Sequence, residues 1–289
     1  MQNKALQRDL VINELTNSVG SSSNEFRFIS ADFGAKALDR LREEYPEKFS
    51  FVGIAEQFAI DFAYGLSSSG ISPIVYGMSP FITLRCVEQI KVLFGQSDYP
   101  LLLISVGGGL GYDHSTLSHF SLEDIGMLDC IPGLEVITPS DCKSAVQYTK
   151  EWLDKPSKIY LRLERQALPE DISTIFKKEY KFFPYLLRDS STVSIFSSPF
   201  LAFEHYQKSN DSIIIVESMI DLPRKIVDII NNASSVSLFE ESYEFTGIYP
   251  WLSKELNGKN IKHYFVKGEI AKDRLRRSSI WEKYGLLSN

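Results

Sequence analysis

Phe51-Val52-Gly53-Ile54-Ala55-Glu56-Gln57 is the stretch on which the reading of this chain turns. Gly53 permits a turn at no steric cost. Ala55-Glu56-Gln57 then opens a segment with apolar or small residues at Phe58, Ala59, Phe62, Ala63 and Leu66, which is helical spacing. The pattern predicts a mostly buried helix with Glu56 in its first turn. A carboxylate there has two readings. It complements the positive end of the helix dipole, or it is a carboxyl in an apolar pocket, with a raised pKa, able to share a proton. Spacing alone leaves both open.

Outward from that point the chain alternates strands and helices. Upstream, residues 5–19 carry a first amphipathic helix, broken at Gly20-Ser21-Ser22-Ser23-Asn24. Phe26–Ser30 reads as a strand running into Ala31-Asp32-Phe33-Gly34, residues 35–45 as a helix, and Phe49–Val52 as the strand that delivers Glu56. Downstream, residues 71–77 form a strand. Pro100–Val106 is an unbroken apolar run, as expected in a parallel sheet covered on both faces. Gly107-Gly108-Gly109-Leu110-Gly111 follows it. Dinucleotide and P-loop spacings both fail there, which leaves a flexible loop that lets backbone approach a ligand. His114 and His119 fall within six residues of sequence beside that loop. Ser140 or Asp141 is expected to cap a helix over 143–153, and residues 159–163 form a strand. Residues 169–190 read as a linker. Further strands at 192–198, 212–217, 235–239 and 262–267 build a second unit, and the basic run Asp273-Arg274-Leu275-Arg276-Arg277 reads as a solvated helix face. The expectation is an α/β protein of two domains, 1–168 and 191–289, each a mainly parallel sheet flanked by helices.

Composition narrows the function classes. The 289 residues are 44% hydrophobic and 24% charged, with a net charge of −6, which disfavours nucleic acid or an anionic membrane as the main partner. No apolar run reaches membrane-spanning length, and Met1-Gln2-Asn3-Lys4 does not open a secretory signal, so the cytoplasm is expected. Three cysteines without a CxxC pair and four histidines without zinc spacing give no sign of a disulfide framework or structural metal.

Several stretches together resemble one family. Gly53-Ile54-Ala55-Glu56-Gln57, with Ala63-Tyr64-Gly65-Leu66 and Gly70, is similar to the pyrimidine-binding domain of transketolase-type thiamine diphosphate enzymes. Met78-Ser79-Pro80-Phe81-Ile82-Thr83-Leu84-Arg85 resembles the family stretch whose aromatic rings line the aminopyrimidine pocket. Ser118-His119-Phe120-Ser121-Leu122-Glu123-Asp124 resembles its substrate-facing histidine loop, and Arg162-Leu163-Glu164-Arg165 its closing strand. The resemblance implies that Glu56 hydrogen-bonds the aminopyrimidine N1′ and so promotes cofactor activation. It places Ile54, Phe81, Met78 and Arg85 around the ring and His119 at the substrate's hydroxyl protons. His114 and Asp113 become further substrate candidates. Arg165 falls at a phosphate-binding arginine, although Glu164 beside it is an equal partner for that guanidinium. The sequence departs from the family at Met78, where a second aromatic is usual, and at Thr116-Leu117-Ser118, where Gly-Pro-Thr is usual. The family's Ala-Asp-Leu-Gly is matched by Ala31-Asp32-Phe33-Gly34, and its second glycine near 247 is Ile248.

The family holds the cofactor's diphosphate and Mg²⁺ with Gly-Asp-Gly and a distant Asn, and no Gly-Asp-Gly occurs in these residues. The resemblance therefore implies the smaller subunit of a split enzyme that transfers a two-carbon ketol unit on a sugar. A separate N-terminal-type chain would bring the diphosphate and Mg²⁺ site, in an α2β2 assembly in which this chain also self-associates. The alternatives are a 2-oxo acid dehydrogenase beta chain, a deoxyxylulose phosphate synthase-like enzyme, or a non-catalytic scaffold homologue.

Overall fold

The computed structural model describes residues 4–31, 36–169, 172–272 and 274–287. Asp32, Phe33 and Gly34, expected at a strand exit, lie outside the described residues. Six strands form the first sheet: β1 (Phe26–Ser30), β2 (Phe49–Phe51), β3 (Ser72–Met78), β4 (Leu101–Val106), β5 (Glu135–Ile137) and β6 (Lys158–Leu163). Their order is β2-β1-β3-β4-β6-β5, and every pairing is parallel. All six residues of β4 are buried, as the unbroken apolar run requires of a central strand covered on both sides. Val11, Ile12 and Leu15 of the helix Gln7–Asn17 are fully buried, and that helix packs on the helix Cys142–Asp154. Asp141 caps the latter by accepting from the Ser144 amide at 2.7 Å. Ser140 instead donates its own amide to Glu217 at 2.6 Å, which ties the cap to the second sheet.

The second sheet comprises β7 (Tyr185–Leu186), β8 (Thr192–Phe196), β9 (Ser212–Ile215), β10 (Ser235–Phe239) and β11 (Lys262–Tyr264), in the order β11-β10-β8-β9-β7. It is parallel except for β7, which runs antiparallel to β9. The architecture is thus the expected α/β arrangement of two mainly parallel sheets. The stretch read as a linker is packed. Leu168–Pro169 pairs antiparallel with Lys4–Ala5, and Ile172, Phe176, Phe182, Phe183 and Tyr185 are buried. Aromatic residues spaced through a polar segment are what tie it down.

Two local expectations need correction. The helix Glu56–Ser68 is half-buried. Glu56, Ala59, Ile60, Ala63 and Ser67 form its inner face, while Phe58 is 55% exposed and stacks on Phe62 at 6.0 Å. The apolar pattern spans more of the helix than one sheet can cover. The second correction concerns Arg277, which is not on a solvated face. It begins the helix Arg277–Tyr284 and is 4% exposed. Its guanidinium donates two bonds to Glu164, at 2.8 and 2.9 Å, and two to Glu241, at 2.7 and 2.6 Å. The Trp281 indole donates a further bond to Glu241. One buried cation thereby fastens the end of the first sheet to the second. Burial alone opposes both charges, but mutual attraction outweighs it and holds the Glu164 pKa below, and the Arg277 pKa above, their ordinary values.

Arg277→Ala would leave two carboxylates buried without their cation. Urea unfolding should show a loss of about 3–5 kcal/mol, and a loss below about 1 kcal/mol would mean the clamp is energetically idle. Because the folded Glu164 pKa is depressed, its stabilisation is present above its ordinary 4.5 and is lost as pH falls below that.

Candidate active site

In a parallel sheet ligands gather at the carboxyl ends of the strands, and four strand exits here supply one row of side chains. β2 leads through Gly53, at φ +71°, into the helix that starts with Glu56. The Glu56 side chain is 5% exposed. β3 ends at Met78 and turns into a short helix, Ser79–Ile82, carrying Phe81, with Arg85 just beyond. Arg85 Nη1 donates to Glu56 Oε2 at 2.7 Å and is the carboxylate's one hydrogen-bonding partner among the described residues. The Arg85 guanidinium lies 4.6 Å from the centroid of the Phe81 ring, while its side chain keeps 44% exposure. Phe81 meets the His119 ring edge to face at 5.0 Å. Gln57 donates to the Arg85 carbonyl at 3.1 Å, which fixes the arginine's backbone to the Glu56 helix.

The row continues through Tyr112. Its ring lies 5.9 Å from His119 and 6.1 Å from His114, and the Arg165 guanidinium sits over it at 4.6 Å. Arg165 also donates to the Gly111 carbonyl at 3.3 Å, as Gln166 does at 3.2 Å. The competition between Glu164 and a ligand for Arg165 resolves in the structure. The Glu164 carboxylate is taken by Arg277 and by the Arg165 and Gln166 amides, so the Arg165 side chain is not its partner. Asp113 Oδ2 accepts the Arg277 amide at 3.0 Å, and its Oδ1 lies 3.7 Å from His114 Nδ1. Glu56, Arg85, Phe81, His119, Tyr112, His114 and Arg165 are therefore contiguous. Met78 is half-buried at the strand end, and Ile54 stands apart at 89% exposure, with Phe51 and Phe58 also exposed.

The glycine run is built for packing. At Gly107, φ is +85°, and a Cβ would clash with the Tyr112 ring. A Cβ on Gly108 would strike the Arg162 guanidinium. These glycines let the loop close onto its neighbours, a tighter role than the flexible loop expected. Beneath it lies a polar cluster that the spacing of residues does not reveal. Asp124 Oδ2 accepts from Tyr160 and Arg162, each at 2.7 Å, and from Ser79 at 3.2 Å, all of them buried. The Ser121 hydroxyl lies 2.9 Å from that of Ser79 and can donate to it, so the Phe81 turn and the histidine loop share one anchor. Sequence reasoning likewise misses Tyr112 and Arg277. Only their neighbours' chemistry, aromatic beside arginine and cation beside paired acids, hints at them.

Thr116, at φ +59° and ψ −155°, occupies backbone space that a β-branched residue rarely adopts. This is the position at which the resemblance places glycine. Burial, aided by His114, lowers the His119 pKa below its usual 6.5, so His119 is a neutral proton acceptor at pH 7. Its Nδ1 lies 2.9 Å from the Ser118 hydroxyl. Cys86, beside this row, is no nucleophile, since burial and then Glu56 push its pKa up to about 12. Among the described residues, no group of three His, Cys, Asp or Glu side chains is placed to hold a metal ion, and no helix is long and apolar enough to cross a membrane.

Two mainly parallel sheets, with an acid-to-histidine row at the strand ends of the first, define an α/β protein with a candidate site at the carboxyl edge of its larger sheet. Residues 5–171 match the family described as transketolase, pyrimidine binding domain, and the chain belongs to that family. It is 34% identical over 137 residues to a subunit of apulose-4-phosphate transketolase of Phocaeicola vulgatus, covering 47% of this chain and 44% of that protein. It is 36% identical over 124 residues to 1-deoxy-D-xylulose-5-phosphate synthase of Edwardsiella ictaluri, covering 42% of this chain and 20% of that protein. These matches span less than half the length of the curated relatives. The fold is that of a structure described as split gene transketolase, inactive beta4 tetramer, with a TM-score of 0.78 at 18% identity over 99% of this chain and 95% of that one. Transketolase from Campylobacter jejuni gives 0.73 at 14% identity, over 99% of this chain and 45% of that one.

The histidine geometry carries an NMR prediction. The His119 ring should titrate with a midpoint below 6.5, and His114→Gln should move that midpoint upward by removing a neighbouring positive charge. A midpoint at or above 6.5 in the unsubstituted chain would contradict the placement of His119.

Proposed function

We propose that this chain is the pyrimidine-side subunit of a two-chain transketolase-type enzyme that transfers a two-carbon ketol unit on a sugar or sugar-derived substrate. The single observation that carries this reading is Glu56, a carboxylate sunk at a strand exit with Phe81 and His119 alongside. The donor set fits an aminopyrimidine. Glu56 offers an acid to a ring nitrogen, Phe81 offers an aromatic surface and Met78 offers apolar contact, while Ile54, exposed, is not packed with them. Arg85, half exposed, is able to hold or release the acid as a ligand enters. Thiamine diphosphate, when bound, supplies the carbon nucleophile and electron sink for C–C chemistry. The chain's own residues hold and move protons and orient the substrate. Glu56 exchanges a proton at the ring nitrogen, and neutral His119 receives one from a substrate hydroxyl. Arg165, with its guanidinium clear of Glu164, binds a substrate phosphate, and Asp113 and His114 line the same side.

The diphosphate and Mg²⁺ fall to a second chain carrying Gly-Asp-Gly, in an α2β2 assembly in the cytoplasm. The name of the Phocaeicola vulgatus relative makes it one subunit of its enzyme, which supports a partner here. The exposed apolar residues Ile54 and Phe58, on the stretch that carries Glu56, support a surface that a partner covers.

In the reconstituted two-chain enzyme, Glu56→Gln should lower turnover by at least about a hundredfold while co-purification of the two chains is unchanged. Full turnover by that variant would favour a scaffold role.

A further inference from the structure

Arg274 and Arg276 lead into the Arg277–Tyr284 helix, and both line a cavity of about 390 Å³. Its opposite wall is the histidine loop, at Asp113, His114, Ser115 and Thr116. Both arginines are exposed, and among the described residues neither makes an ion pair. The Asp113 carboxylate, the one acid among the described lining residues, is engaged by the Arg277 amide on one oxygen and faces His114 with the other. The described lining residues therefore carry two guanidinium charges against one carboxylate, in a chain whose total is −6. The arginine wall is also anchored at one end. Arg277, the next residue after Arg276, is buried and bonded to Glu164 and Glu241, and its amide donates to Asp113 of the loop opposite. Arg165 is not among the lining residues.

We propose that this cavity is a second anion subsite, separate from Arg165, that takes a phosphoryl or pyrophosphoryl group at the end of the acceptor substrate remote from the reacting carbon. Guanidinium forks suit such groups by geometry as well as charge. A volume of about 390 Å³ leaves room for a pyrophosphoryl group as well as for a single phosphate. The loop ties the two places together, because Thr116, at the cavity's edge, is three residues from His119. A site built half from the second sheet's side would select acceptors long enough to reach it. The assignment to a substrate rests on the thiamine-enzyme reading, whereas the anion site itself does not.

The test is calorimetric titration of the purified full chain with inorganic pyrophosphate at low ionic strength. Saturable binding is expected, weakened about tenfold or more in R274Q/R276Q and held within about twofold in E56Q. Absence of binding, or equal affinity in the double variant, overturns the site. Circular dichroism of the double variant confirms that the fold is intact, and R274K/R276K should recover only part of the affinity because lysine lacks the fork. In the reconstituted enzyme, the R274Q/R276Q change should raise KM for a phosphorylated acceptor and leave that for its unphosphorylated counterpart unchanged. Lost pyrophosphate binding with unchanged KM for both overturns the substrate assignment. Normal turnover by E56Q would defeat the thiamine reading while the pyrophosphate titration still decided the site.

Discussion

A carboxylate removed from water must be compensated, and at Glu56 one arginine does it. Burial of an unpaired acid is costly enough that a chain avoids it unless a partner or a role is present. Here the partner is Arg85, and it is an unusual one. The acid is sunk while the base remains half in solvent and rests on the Phe81 ring. A fully buried pair would be locked. A pair with one wet end can be exchanged for a ligand of similar hydrogen-bonding character, because the arginine regains hydration as it leaves. The rest of the row, Phe81 to His119 to Tyr112 to Arg165, is arranged from that fixed acid outward.

What holds the row in place lies below it. Asp124 gathers Tyr160, Arg162 and Ser79 beneath the histidine loop, and Arg277 gathers Glu164 and Glu241 behind it. Both are buried clusters in which each charged group faces an opposite one, Arg277 serving two carboxylates. Such clusters contribute less to stability than apolar packing of the same volume, but breaking them is expensive, so they fix geometry. Tight geometry is what a proton-transfer site needs, since reach and direction decide whether an acid or base is competent.

Much of this was legible in the sequence, and the reasons are physical. β4 announces itself because a strand covered on both faces must be apolar throughout. Glu56 announces itself because the glycine turn and the helical spacing place it at a helix start. The Asp141 cap follows from a short acceptor before an apolar run. Long-range pairing does not follow from local pattern. Arg277 sits in a basic run that looks solvated, and only the fold brings it to Glu164 and Glu241, more than 30 residues away in either case. The role of the glycines at 107 and 108 is similarly hidden, because the side chains that exclude a Cβ there come from Tyr112 and Arg162. Phe58 misleads for the opposite reason, since an apolar helix face reads as core whether its cover comes from the same chain or another. The positive φ at Thr116 cannot be read from a threonine at all.

The central claim is that this chain supplies the acid for the cofactor's ring while another chain holds its charged tail. It is tested most directly by calorimetric titration of thiamine diphosphate with Mg²⁺ into this chain, into the chain carrying Gly-Asp-Gly, and into their mixture. Tight binding in the mixture alone is the predicted result. Tight binding by this chain by itself, with metal and diphosphate held unaided, would contradict it.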